Sequence, residues 1–169
     1  MNKKLFLCLS CLVLLVFVAC NSHGKEIKYP AGKDTKESFG DGTYQIATGH
    51  TSTGYREILY NFEYKTSIIP YVEQFRATKE RAYIIGNGSR NVVDGENLIK
   101  YTYELYAVIE TEINQLTLCI IPDSASAPDM YIAHLDEMIK NGDLRLVSQL
   151  TDFSAADQSI FEELYYRTN

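Results

Sequence analysis

Between residues 43 and 121 apolar and polar side chains largely alternate with a period of two, broken at intervals by glycine, asparagine and aspartate, as in a sheet of consecutive short strands. After the turn signal Phe39-Gly40-Asp41-Gly42, residues 43–47 predict a strand. A glycine-bounded turn over 49–54 then leads to a strand over 55–65, where Ile58, Tyr60, Phe62 and Tyr64 share one side; the two strands form a hairpin. Pro70, with Ile69, Val72 and Phe75 spaced by three and Arg76 and Lys79 following, predicts a short helix over 69–79. Strand 81–85 runs into Gly86-Asn87-Gly88-Ser89, whose Asn-Gly pair predicts a tight hairpin, and Asp94-Gly95-Glu96-Asn97 supplies a second turn of the same chemistry. A strand over 98–110 sets Tyr101, Tyr103 and Leu105 against Lys100, Thr102 and Glu104, and residues 116–121 form another, buried deeply enough to lose the alternation.

Beyond the punctuation of Pro122 to Pro128 the period lengthens. Ser126 with Asp129 resembles a capping pair, Tyr131, Leu135 and Met138 form a helical stripe, and Asn141-Gly142 is a stop. Residues 144–150 read as a short strand or connector, and Ser154 with Asp157 caps a last helix carrying Ile160, Phe161 and Leu164 inward. The expectation is an α+β fold, mainly antiparallel sheet in hairpins and meanders, with about three helices, two of them C-terminal.

The N-terminal pattern is of another kind. Lys3 and Lys4 precede an apolar run over 5–19 interrupted only by Ser10, and Ala19 stands directly before Cys20. As a helix this run reaches about 22 Å, short of the roughly 30 Å hydrocarbon core of a bilayer, which suits a secretory leader better than a span. Its end, Phe17-Val18-Ala19-Cys20, resembles the lipobox of bacterial lipoproteins, with Phe17 in place of the leucine that family prefers. The resemblance implies that a diacylglyceryl group is added to the Cys20 sulfur, that the leader 1–19 is then removed, and that Cys20 becomes the lipidated, palmitate-type anchor. Two acyl chains hold firmly, at about 0.8 kcal/mol per buried methylene. The implied location is the extracytoplasmic side of a cell membrane, and Asn21 after the cysteine permits an outer-membrane destination in a Gram-negative envelope. Residues 20–38, rich in lysine and glycine, read as a lipidated cysteine and flexible tether, and 39–169 as one α+β domain.

Charge narrows the partners. Lys3 and Lys4 depart with the leader, leaving 14 basic against 22 acidic residues, a net −8. Such a surface is a poor partner for nucleic acid and is repelled by anionic lipid heads, so the acyl chains must do the anchoring. A basic envelope or secreted protein is the complementary partner. Only Cys119 remains as a thiol in the mature lipoprotein, inside an apolar strand, where it reads as a small buried residue.

Candidate chemistry is sparse. His23, His50 and His134 stand in no metal-ligand spacing, Asp94 to Asn97 lacks the oxygen ladder of a calcium loop, and no cofactor fingerprint is present. No nucleophile elbow or Ser-x-x-Lys pair occurs, and Glu110 with Glu112 reads as solvated surface. Thirteen tyrosines without a tryptophan are the one unusual abundance. Tyr101 and Tyr103 share a strand side with Leu105 while Tyr106 lies opposite, and Tyr101, Tyr103 and Tyr106 are the candidates for an interaction face, since tyrosine gives large contact area at low entropic cost. The functional expectation is a lipid-anchored binding module. The alternatives are a small envelope hydrolase, gathering His50 or His134 with carboxylates in a pocket, and an inhibitor or immunity protein against an exported toxin.

Overall fold

A computed structural model describes residues 26–51 and 54–166. The fold is α+β and mostly antiparallel. Strands β1 (Thr35–Phe39), β2 (Tyr44–Thr51), β3 (Gly54–Asn61) and β4 (Thr66–Ile69) form one sheet in that order. Strands β5 (Tyr71–Ala77), β6 (Arg81–Asp94), β7 (Asn97–Glu110), β8 (Gln115–Pro122) and β9 (Leu144–Val147) form a second. All neighbours are antiparallel except β8 and β9, which are parallel and joined by a crossover containing helix α1 (Leu135–Asn141). Helix α2 (Ala155–Tyr166) ends the described chain.

The second sheet is covered on both faces, which explains its loss of simple alternation. Ala82 and Ile84 of β6, Leu105, Ala107 and Ile109 of β7, and Leu116 and Leu118 of β8 face the first sheet and pack with Tyr44, Ile46, Leu59 and Ile69. The intervening Tyr83, Ile85, Tyr106, Val108 and Cys119 point the other way, toward Phe153 and the Phe161 and Leu164 side chains of α2. Every residue of these strand centres therefore has apolar surface to bury, and the sequence reads as continuous hydrophobic runs. Phe161 meets Tyr83, Tyr106 and Phe153 edge-on, with ring centroids 5.2 to 5.9 Å apart. Each such pair adds roughly 0.5–1.5 kcal/mol beyond the area buried.

Several expectations are corrected. The helix expected over 69–79 is strand β5, and among the described residues the α-helices number two. A β-bulge between Val72 and Gln74 sets Val72 against Gly86 and Phe75 against Ile84, so both side chains face the same core although three residues apart. A bulged strand thereby imitates helical spacing.

The hairpin expected at Gly86-Asn87-Gly88-Ser89 does not turn; these residues lie inside β6, a strand of 14 residues. The glycines mark close packing. A Cβ on Gly86 would stand 2.2 Å from the Tyr71 carbonyl oxygen at the Pro70 corner, where the chain passes from one sheet to the other. The turn at Gly95-Glu96 does form, with Gly95 at φ 62.

The folded part also begins before the expected boundary at Phe39. Thr35–Phe39 is strand β1, and ahead of it the backbone N–H groups of Lys28 and Tyr29 donate to the Asp41 carbonyl at 2.8 and 3.0 Å. Tyr29 packs its ring 6.0 Å from Phe62, and Lys28 pairs with Glu63. Lysine-rich composition resembles a linker, but here the aromatic ring and one complementary carboxylate tie it to the sheet.

Near the C-terminus, α1 starts at Leu135 and not near Pro128: residues 127–132 form no helix, Tyr103 donates to the Pro128 carbonyl at 2.6 Å and Ile132 is buried. Ser126 bonds Ser124 instead of capping a helix. The second capping pair forms as expected: Ser154 Oγ donates to Asp157 Oδ2 at 2.6 Å and accepts the Asp157 N–H at 3.2 Å. Gly142 terminates α1 in the left-handed conformation at φ 81.

Candidate binding groove

Between the outer face of β7 and the last turns of α2 runs a groove of about 280 Å³. The helix contributes Gln158, Phe161, Glu162 and Tyr165, spaced as i, i+3, i+4 and i+7 and therefore on one stripe, with Tyr166 beside them. The strand contributes Glu104 and Tyr106, two residues apart and on the same side. Tyr106 and Phe161 form a buried aromatic floor, while Tyr165 and Tyr166 are exposed walls. The Tyr106 hydroxyl donates to Glu104 Oε2 at 3.0 Å and so orients that carboxylate. Burial, together with this bond to Glu104, pushes the Tyr106 hydroxyl well above the ordinary phenol value, so it stays a donor.

On the far side of α2, Glu163 is engaged by Arg76 at 2.8 Å, which leaves Glu162 on the groove side of the same helix. The helix itself is clamped to the sheet through Asp157, which accepts from Arg81 Nη1 at 2.8 Å and from the Tyr83 hydroxyl at 3.0 Å. Burial alone would raise the Asp157 pKa. The hydrogen bonds from Ser154 and Tyr83 and the charge of Arg81 outweigh it and hold the carboxyl below its usual range. Groove geometry therefore depends on a charged anchor at the other end of its helix.

The residues singled out from sequence fall in several places. Cys20 and His23 lie outside the described residues. Tyr101, Tyr103 and Tyr106 do not make one exposed face. Tyr103 is buried and bonded to the Pro128 carbonyl, Tyr101 is half-buried, and Tyr106 points to the opposite side of β7 as the floor of the groove. The pleat turns odd and even positions of β7 to opposite faces, which separates Tyr106 from the other two. The tyrosines that do border open space beside Tyr106 are Tyr165 and Tyr166, and the signal that finds them is the helical stripe from Gln158 to Tyr165.

His50 is exposed and edge-on to Tyr55 at 4.6 Å, and His134 is exposed with Nδ1 3.2 Å from Glu137; neither lines the groove. Cys119 is fully buried, and burial pushes its thiol up to about 11. Glu110 faces Arg81 at 3.4 Å while Glu112 lies in the turn that follows β7. Among the described residues no group of three His, Cys, Asp or Glu side chains is arranged to hold a metal ion, and no helix is long and apolar enough to cross a membrane.

No protein-family model, curated protein or solved structure matches this chain. Aromatic faces carry negative charge at their centres and two carboxylates stand at the rim, an arrangement that attracts a cation and supplies acceptors to its N–H groups.

Proposed function

We propose that this chain is a lipoprotein anchored through acyl chains on Cys20 to the outer side of a bacterial membrane, where it acts as a binding module for a basic segment of another envelope or secreted protein. The observation that carries the binding part is the groove of Tyr106, Phe161, Tyr165 and Tyr166 rimmed by Glu104 and Glu162, which suits a lysine or arginine side chain. The surrounding charge agrees, since residues 39–169 hold 10 basic and 19 acidic side chains, a net −9 that draws basic partners from a distance. Confinement beside the membrane raises the effective concentration of the module for a neighbour in the same layer. The anchoring part is supported by the leader and its lipobox-like end.

Two measurements test it. Replacing Cys20 by serine is expected to move the protein from the membrane to the soluble fraction and to remove the mass of the acyl groups; a Cys20→Ser protein that stays membrane-bound with unchanged lipid mass would overturn the anchoring. For the groove, a short lysine- and arginine-rich peptide is expected to bind the purified full-length protein, with affinity falling as salt rises. Glu162→Gln or Tyr165→Ala is expected to weaken that binding about tenfold. Equal binding by both variants and the parent chain would remove the groove from the account.

A further inference from the structure

A second hollow, of about 350 Å³, lies at the opposite kind of location: the end of the two sheets, where the 40–43 loop, the β3–β4 turn and the α1–β9 corner converge. Its lining is polar and includes Tyr44, Asn61, Glu63, Tyr64 and Asp143. Asn61 has no exposed surface, and its Oδ1 accepts the Tyr64 backbone N–H at 3.0 Å. Because that N–H only donates, the amide cannot be turned round, and the free end is the Nδ2 group. Nδ2 makes no hydrogen bond among the described residues. It lies near the Tyr44 hydroxyl, whose pKa burial pushes well up and the Asn61 amide only partly brings back, but without hydrogen-bond geometry. A buried amide donor without a partner is costly, and such groups are few in folded proteins.

The acceptors around it are largely committed on one side only. Asp143 takes the Tyr64 hydroxyl on Oδ2, and its backbone carbonyl takes the Tyr44 hydroxyl at 3.2 Å. Glu63 takes Lys28 and the Tyr29 hydroxyl on Oε2, which hold its carboxyl below the usual range and keep it ionised. Asp143 Oδ1 and Glu63 Oε1 receive no hydrogen bond among the described residues. The hollow thus presents the buried Asn61 donor, a second unpartnered buried group in the Asn114 Oδ1 acceptor, and two carboxylate oxygens that only accept.

A ligand matching this set must accept from Asn61 and donate to Asp143 and Glu63. An anion meets the carboxylates of Asp41, Glu63 and Asp143, with Lys28 already paired to Glu63, and is repelled. A metal ion finds no group of three ligating side chains among the described residues. An ammonium group satisfies the carboxylates and leaves the amide donor facing a positive charge. Hydroxyl groups both donate and accept, so one class of molecule satisfies every group at once. We propose that this hollow binds a neutral polyhydroxylated molecule of about one sugar ring, with Asn61 Nδ2 donating to one of its oxygens and the carboxylates of Asp143 and Glu63 accepting from its hydroxyls. The site is separate from the aromatic groove and does not rest on the function assigned to it.

The test uses the full-length protein in detergent and saturation-transfer NMR with glucose, galactose, mannose, N-acetylglucosamine, myo-inositol and glucosamine as probes. At least one neutral probe is expected to receive saturation, and Asp143→Asn is expected to weaken its binding about tenfold. Glu63→Gln, which keeps the shape of the side chain and an oxygen for Lys28 and Tyr29, is expected to weaken it severalfold in a protein whose circular dichroism matches the parent, whereas Glu162→Gln in the aromatic groove leaves it unchanged. Asn61→Asp, which exchanges the donor for an acceptor, abolishes binding in a protein whose circular dichroism matches the parent. Absence of binding by every neutral probe into the tens of millimolar overturns the proposal, and leaves water as the partner of Asn61. Binding of glucosamine alone, or neutral binding unaffected by both Asp143→Asn and Glu63→Gln, overturns it equally.

Discussion

Asp157→Ala is expected to cost about 3 kcal/mol of stability, which for a domain near this size lowers the melting temperature by about 6–12 °C. Asp157 is 6% exposed and receives the Arg81 guanidinium, the Tyr83 hydroxyl and the Ser154 hydroxyl. Alanine strands the Tyr83 hydroxyl in a buried position, takes away the acceptor of the Ser154 hydroxyl in the capping pair and leaves Arg81 with the more distant Glu110 as its carboxylate. The guanidinium is 39% exposed and recovers water, which keeps the loss below that of a fully enclosed ion pair. Thermal or urea unfolding measures it. The same residue predicts a pH dependence. Its folded pKa is depressed, so the stability it contributes is present above the unfolded carboxylate value, about 3.9, and is lost as the pH falls through the lower folded value. Asp157→Asn should therefore be less stable than the parent at neutral pH, and the gap should close below about pH 4. A gap that stays constant through that window would mean that the carboxylate charge does not carry the clamp.

Gly86→Ala is the second large effect, a loss of about 3 kcal/mol or failure to accumulate as folded protein. The new methyl would stand 2.2 Å from the Tyr71 carbonyl oxygen and 2.5 Å from Ile69 Cγ2. Neither is a flexible chain end, since Tyr71 is paired with Asn87, Val72 with Gly86, and Ile69 is fully buried. Two neighbouring glycines serve as internal standards. At Gly88 the methyl meets the end of Met130, a pliable side chain, and Gly88→Ala should cost less than about 1 kcal/mol. Gly95→Ala meets nothing but adopts φ 62 in the hairpin turn, for about 1–2 kcal/mol. Equal losses at positions 86 and 88, read from urea midpoints, would show that backbone approach at the sheet corner is not what position 86 requires.

These glycines also show where the sequence misled. Gly86-Asn87-Gly88 and Asp94-Gly95-Glu96-Asn97 carry similar turn chemistry, yet only the second turns. Local composition does not distinguish a glycine needed for a bend from one needed because another strand crosses it closely. The bulge in β5 is the same problem in another form. Val72 and Phe75 reach one face three residues apart, a spacing that helix and bulged strand share, and only the pairing to Gly86 and Ile84 decides between them.

The groove was half legible. The excess of tyrosine pointed to a contact surface, and the capped helix after Ser154 was plain from its spacing. That Tyr106, not Tyr101 or Tyr103, meets that helix follows from the parity of β7 and from which face the helix covers, and the second of these is a long-range fact. The polar hollow was not legible at all, because Asn61 and Glu63 at the β3–β4 turn and Asp143 ahead of β9 lie far apart in the chain and none belongs to a motif.

The amino-acid sequence by itself determined the antiparallel α+β character, most strand positions, the Gly95 turn and the Ser154-Asp157 cap, since each rests on interactions among residues near in the chain. Tertiary structure alone decided the division into two sheets at Pro70, the attachment of Lys28 and Tyr29, and the gathering of both hollows. Those depend on which surfaces meet, and meeting surfaces are chosen by the burial of the whole core, to which every segment contributes and which no single segment specifies.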